Sequence, residues 1–357
     1  MNDDLKVRAS ALHALDFAKR HDFAGADPYD GLTSPLAKLL VGRLPRQAWQ
    51  QVIKRSNLTI RAMTGIRPVR MAKATALFAE GLWLLGRQDE ARLLGDRLLA
   101  SQAGGPWGYE FDVQTRWAHY RAGTPNVIAT AFVIRALAVQ KRLDEVNPEV
   151  LEWLYSLIDP RGYFHYTPAS SALIHNGNLL AAETVARMGG DLGAVRAAAE
   201  ITLQHQSSDG SWAYGEGSNL SWIDNFHTVY VLESLSRLAD YEIGSRDQLK
   251  SGIDYWHKSL LSQDRLPFYY AGDRSPSTDV HNIATVVGGL SKFKDPLAVP
   301  GHAHPTVQLL LSHQGPDGGF RDKPGSVPYM RWNQAHAFCA LAKVMVTDGN
   351  GSNGTED

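Results

Sequence analysis

The sequence predicts an all-α toroid, an (α/α)6 barrel of about six helical hairpins, on three observations. Helices that are apolar nearly all round alternate with helices that carry one apolar stripe. The pairs recur with a period of about 50 residues. Each striped helix ends at a similar turn, rich in Gly, Asp and Pro and followed by an aromatic residue. A helix apolar on every side must be covered on every side, whereas a striped helix needs cover on one. Two concentric rings meet both demands, with the apolar helices inside and an axial funnel at the centre.

Taken in order, residues 5–20 follow a helical pattern, and Asp27-Pro28-Tyr29-Asp30-Gly31-Leu32 reads as a turn. A helix is expected from Pro45 to Asn57, with proline in its first turn. The stretch 69–85 is the first fully apolar helix, and others open near Pro125, His175, Asp224, Asp279 and Trp332. Striped helices cover 88–102, 147–158, 191–206, 246–262 and 303–314. The joints that close them span 102–107, 159–164, 206–212, 263–268 and 314–320, and the second has lost its glutamine. Trp107, Trp212 and Phe268 are the expected structural aromatics, packing back on the helix end while the glutamine satisfies free backbone groups there. The expected organisation is an N-terminal helical segment at 1–64, the toroid at 65–347 and a disordered Gly/Asn/Ser tail at 348–357.

The net charge of −1 gives no global field toward nucleic acid, and no Lys/Arg run marks a basic patch. One cysteine, Cys339, excludes an intrachain disulfide and a multi-cysteine zinc site. No apolar run is long enough to span a membrane, and the charged N-terminus lacks the features of a secretion signal, so a cytoplasmic protein is expected. No Gly-x-Gly-x-x-Gly, P-loop or Gly-x-Ser-x-Gly motif occurs, and no metal-ligand spacing stands out, so neither cofactor nor metal is expected.

The joint Gln206-Ser-Ser-Asp-Gly-Ser-Trp212 resembles the glutamine–tryptophan (QW) repeat of squalene and terpene cyclases and the related prenyltransferase-type toroids, and 314–320 is a second copy. This resemblance spans residues 65–345 and implies terpenoid cyclase-like repeats. Together with Asp27-Pro-Tyr-Asp-Gly-Leu32 and Trp222-Ile-Asp-Asn-Phe-His227, the chain is also similar to uncharacterised cyclase-repeat-like proteins associated with bacterial surface-polysaccharide synthesis. Such toroids host many activities, so the resemblance implies a fold and a context rather than a reaction. The Asp-rich acid motif of the class II cyclases is missing, as are surroundings for the zinc site of a protein prenyltransferase.

Function is expected where the inner helices open on one end of the ring. Aligning them brings His227, Asn282 and Asn333 to one level and Asn126, Asp224 and Asp279 to another a turn earlier. His175, Asn176 and Glu183 come from the third inner helix, His281 precedes Asn282, and His336, one turn deeper on its helix, reaches toward the same space. Asn and Asp at these places also suit helix caps. Tyr109, Tyr214, Tyr270 and Trp222 lie in the loops above, with Arg70, Lys73 and Arg331 in or beside them. Aromatic faces with Asn, His and Arg donors suit a sugar or glycan, especially an acidic one. His227, Tyr214, His175, His281, Asp224 and Glu183 are the catalytic candidates, for uronic acid lyase or epimerase chemistry. Asn126, Asn176, Asn282, Asn333, His336, Arg70, Tyr109 and Trp222 are the substrate-binding candidates. A divergent terpenoid cyclase-like enzyme and a non-catalytic glycan-binding or scaffold toroid are the alternatives, and the sequence leaves the oligomeric state open.

Overall fold

In the computed structural model, residues 3–101, 105–114, 119–293 and 301–351 are described. The chain opens with α1 (Asp3–Arg20), then α2 (Arg43–Lys54) and α3 (Leu58–Met63), which hold the N-terminal segment. Five hairpins follow: α4 (Ala72–Leu84) with α5 (Gln88–Ala100), α6 (Val127–Val139) with α7 (Glu149–Ser156), α8 (His175–Arg187) with α9 (Leu192–Gln204), α10 (Asn225–Leu238) with α11 (Arg246–Ser259), and α12 (Val280–Lys292) with α13 (Pro305–Ser312). A π turn, Met330–Ala335, leads into α14 (His336–Gly351). The last helix therefore runs four residues into the stretch that composition marks as a tail. Main-chain hydrogen bonding carries a helix past the end of its side-chain pattern.

The even-numbered helices from α4 to α14 form a closed inner ring, each packed on the next and α14 back on α4. Outside it, α5 packs on α4, α9 on α8, α11 on α10 and α13 on α12. The outer place beside α14 is filled by α1, which buries Val7, Ala11, Ala14, Leu15 and Ala18. The fold is an all-α toroid in which the first helix of the chain completes the sixth hairpin.

The joints explain the repeat. In four of the five, an N–H bonds the carbonyl four residues on: Asp159 to Tyr163 (2.8 Å), Ser207 to Ser211 (2.9 Å), Ser262 to Leu266 (2.9 Å) and Gly315 to Gly319 (2.8 Å). The last turn residue is left-handed, at Gly162, Gly210, Arg265 and Gly318. Two residues on, Phe164, Trp212, Pro267 and Phe320 are buried. Trp212 donates its indole N–H to Thr202 O (2.8 Å) at the end of α9, and Trp107 to Leu98 O (3.0 Å) at the end of α5. The Gln206 amide donates to Gly210 O and to Gln248 O on α11, both at 2.9 Å. Gln314 repeats this on Gly318 O and on Ser10 O of α1, which marks α1 as the next outer helix. One joint is out of the expected register. Its turn starts at Ser262, so Leu261 stands in the glutamine position and Pro267, rather than Phe268, is the buried residue. In the first joint, Gln102 lies outside the described residues.

Candidate functional site

Register along the inner helices sorts their side chains into layers. The first residues of α8 and α10, His175 and Asn225, point outward. His175 Nδ1 meets Thr202 Oγ1 on α9 (3.3 Å), and the Asn225 amide joins Leu260 O and Trp256. The second residues, Lys73, Asn176, Phe226 and His281, are all buried. One turn further, Phe132 and Tyr230 meet edge to face at 5.7 Å. At the ninth position Glu80, Arg135, Glu183 and Glu233 form an ionic layer. The axial funnel is thus largely filled by the protein's own side chains. A cavity of about 30 Å³ remains, enough for one or two waters, lined by residues that include Phe132, Tyr230, His336, Glu80, Arg135 and Lys343.

Above these layers the loops set a rim of aromatic rings. Tyr109, Tyr166, Tyr214 and Tyr269 each follow a joint's buried residue by two. The carbonyls of Tyr166, Tyr214 and Tyr269 accept the first N–H of α6, α8 and α10 at 3.2, 3.2 and 3.0 Å, so each tyrosine sits over a helix start. Tyr270, in the shifted joint, is exposed, and Tyr269 takes the place expected of it. In the last joint Asp322 replaces the tyrosine, its carboxylate accepting the Val280 N–H (3.0 Å).

The most organised part of the rim is on α10. Asp224 caps the helix, Oδ1 accepting the His227 N–H at 2.9 Å. Its Oδ2 accepts from His227 Nδ1 (2.6 Å) and from the Trp222 indole (3.0 Å). A carboxylate only accepts, so Nδ1 carries a proton, and Nε2 is the ring nitrogen left free of Asp224. The His227 side chain is 22 % exposed, with its ring 4.5 Å from Tyr214, which stacks on Trp222 at 4.6 Å. A cavity of about 10 Å³ lies against Asn176, Tyr214, Asp224 and His227. Burial and the nearby Asp224 carboxylate push the Tyr214 phenol well above its ordinary range, so Tyr214 is a hydrogen-bond donor rather than a base.

On the neighbouring helix α12, His281 stacks on Trp332 (4.1 Å) and meets His336 edge-on (4.3 Å), and its Nε2 lies 3.1 Å from the Tyr230 hydroxyl. Burial, and then the neighbouring bases, hold both histidines well below the usual range. Lys73, only 4 % exposed, lies over the Phe132 ring at 4.1 Å and over Tyr230 at 5.3 Å. No hydrogen bond or ion pair holds its amine among the described residues, and burial, with Arg331 and Arg135 nearby, drives its pKa down. Arg331 pairs with both oxygens of Asp27 (2.7 and 2.8 Å) and lies over Tyr109 and Trp332. Buried atoms without a partner among the described residues include Asn126 Nδ2, Asn176 Oδ1, His281 Nδ1, Asn282 Oδ1, Asn333 Oδ1 and His336 Nε2.

The structure therefore brings Tyr214, Trp222, Asp224, His227 and Asn176 together, and His281 with His336. Asn126, Asn282 and Asn333 each spend part of their amide on the fold: a cap to the Ala129 N–H (2.9 Å), a bond to Phe268 O (3.0 Å) and a bond to Asp322 (3.1 Å). Tyr109 shares a hydroxyl contact with Tyr166 at 3.2 Å. Three expected site residues lie elsewhere. His175 faces α9 and His205, because two residues along a helix turn the side chain by about 200°. Burial holds it at about 3. Glu183 sits two helical turns down, bonded by Arg135, Arg187 and Ser234. Arg70 is exposed and paired with Asp22. Lys73 is the residue the sequence reading undervalued. It counted among loop cations, although a lysine in the first turn of so apolar a helix has nowhere to go but the axis. Among the described residues, no group of three or more His, Cys, Asp or Glu is placed to hold a metal ion.

No protein-family model and no curated protein matches the sequence. Solved structures do share the fold. A type II terpene cyclase from Scytonema superposes with a TM-score of 0.60 at 13 % identity, covering 97 % of this chain and 99 % of that one. The cellobiose 2-epimerase of Spirochaeta thermophila gives 0.54 at 13 % identity, covering 79 % and 87 %. The ent-copalyl diphosphate synthase of Streptomyces platensis gives 0.51 at 17 % identity over 91 % of this chain, which spans 60 % of that synthase. At such identities the likeness is one of fold.

Proposed function

We propose that the rim binds an acidic sugar or glycan and that His227 moves a proton on it, in lyase or epimerase chemistry on a uronic acid residue. The observation that carries this reading is the Asp224–His227 pair, which engages Nδ1 and leaves Nε2 free of Asp224 on a partly exposed ring beside Tyr214 and Trp222. The rings of Tyr214, Trp222 and Trp332 offer stacking faces for a pyranose. Lys73, His281 and His336 form a buried group of bases, none of them paired with a carboxylate among the described residues, that suits the carboxylate of the sugar. In this scheme Nε2 takes the C5 proton and the N–H groups of Lys73, His281 and His336 donate hydrogen bonds to the enolate. Return of a proton to the opposite face gives the epimer, and departure of the C4 substituent gives the unsaturated product. A cytoplasmic role in making a surface polysaccharide fits a toroid of this kind.

The fold is shared with a sugar epimerase and with terpene cyclases alike. Against cyclase chemistry stands the small axial cavity with Glu80, Arg135, Glu233 and Lys343 in its wall, a poor home for a polyprenyl chain or a carbocation. A non-catalytic glycan-binding toroid is favoured by one observation, the shallowness of the rim above its filled axis. The test is incubation with uronate oligosaccharides in D2O, read by NMR. Deuterium at C5 or an unsaturated product is expected, and should fall at least about 100-fold in His227→Asn. Binding with no exchange or product, unaffected by His227→Asn, would leave a lectin-like protein instead.

A further inference from the structure

Residues 31–79 contain nine Lys and Arg and not one Asp or Glu, in a chain whose net charge is −1. The same tract carries most of the misplaced apolar surface. Of the large hydrophobic side chains exposed on the described residues, Leu36, Leu39, Val41, Leu44, Val52 and Met63 lie within it, with Leu39, Val41 and Met63 at least 80 % exposed. On α2 the two faces are distinct. Ile53 and Gln50 pack inward, while Leu44, Ala48 and Val52, spaced by four, form a stripe open to solvent. Lys38, Arg43, Arg55 and Arg67 are exposed around that surface.

We propose that residues 36–63 dock the protein reversibly on a membrane surface rich in anionic lipid. Exposed leucine, valine and methionine side chains gain by entering the boundary between headgroups and acyl chains, and the cations around them gain from lipid phosphates. The absence of any carboxylate across the tract fits a uniformly negative partner. Nucleic acid would use the cations and leave the apolar side chains unexplained. No helix of the described residues is long and apolar enough to cross a membrane, so the contact is peripheral. The tract is tied to the rim, since Gln50 donates to Tyr29 O (3.0 Å), Tyr29 meets Trp332 edge-on (5.8 Å) and Asp27 holds Arg331. Docking thus holds the rim in a fixed relation to the bilayer, and it stands whether or not the rim is catalytic.

The test is co-sedimentation of the full chain with vesicles of phosphatidylcholine alone and with about one third phosphatidylglycerol. Binding is expected on the anionic vesicles only, weakening as salt rises. Leu39→Glu/Val41→Glu should lower it at least about tenfold, and Lys38→Ala and Arg43→Ala about fivefold each. All four positions are exposed, so melting temperatures should match the parent. A Val41→Cys variant carrying a polarity-sensitive dye should shift to the blue on vesicles, since the native Cys339 is buried. No binding at low salt, or binding indifferent to Leu39→Glu/Val41→Glu, overturns the proposal. So does a dimer broken by Leu39→Glu/Val41→Glu in a protein that ignores vesicles.

Discussion

Removing Arg135 is the sharpest test of how the ring holds together. Its guanidinium, 6 % exposed, reaches Glu183 at 3.0 and 2.5 Å, Ser234 Oγ at 3.2 Å and Glu233 at 3.5 Å. One side chain thus joins α6, α8 and α10. Breaking one side of a buried ion pair costs about 3–5 kcal/mol, because the other charge stays behind. Here Glu183 keeps Arg187 (2.8 Å) and Glu233 keeps Arg237 (3.1 Å), which places Arg135→Met at the lower end, about 3 kcal/mol. With a urea slope near 3 kcal/mol per molar, the midpoint should fall by about 1 M. Urea titrations followed by circular dichroism and tryptophan fluorescence would measure it. In Arg135→Met/Glu183→Gln no carboxylate is stranded at Glu183, so the double variant should be less damaged than the two single losses added together, by about 2 kcal/mol. A midpoint shift under about 0.2 M, or simple additivity, would refute the view that this layer is electrostatically coupled.

The same layer sets an acid limit. Burial alone would raise the Glu183 carboxyl, but Arg135 and Arg237 outweigh it and hold it at about 2, against an ordinary 4.5. A depressed folded pKa stabilises above the unfolded value and is lost as pH falls toward 2. Stability should therefore drop by about 3 kcal/mol between pH 4.5 and 2, less in Glu183→Gln, as melts across that range would show. Gly210 is left-handed, and an added Cβ would lie 2.4 Å from Ser251 O. Gly210→Ala should lose about 3 kcal/mol, whereas Gly217→Ala, equally left-handed but in open space, should lose about 1 kcal/mol; thermal melts compare them. Deleting residues 1–20 strips α14 of its outer cover, and the product should be insoluble unless an α1 peptide is supplied; fractionation decides.

The ring was readable because periodicity is local. Apolar helices such as α6 and striped ones such as α9 announce their place without reference to anything distant. The Asp224–His227 pair was readable for the same reason, since cap and third residue meet through the geometry of one helix start. What escaped depended on register or on closure. His175 and His227 differ by two positions within their helices, and that reverses their facing. For Glu183 the sequence leaves facing the funnel and pairing with an arginine equally open, because Arg135 is 48 residues away. The stripe of α1 matches that of any outer helix, but only α14, across the whole chain, shows which gap it fills. The basic tract was missed because a charge balance near zero hides a segment with no acids.

The place of α1 in the ring has a consequence for how the protein is made. Its partner α14 is encoded some 300 residues later, so at 5–20 residues per second α1 leaves the ribosome about 15–60 s before its docking surface exists. During that interval Phe17 and Leu15 have no partner, and the nascent ring is an open arc with apolar helices at both ends. Closure is then one late, long-range event that cannot begin until the last helix is out. The protein should therefore lean on chaperones in proportion to how slowly its message is read.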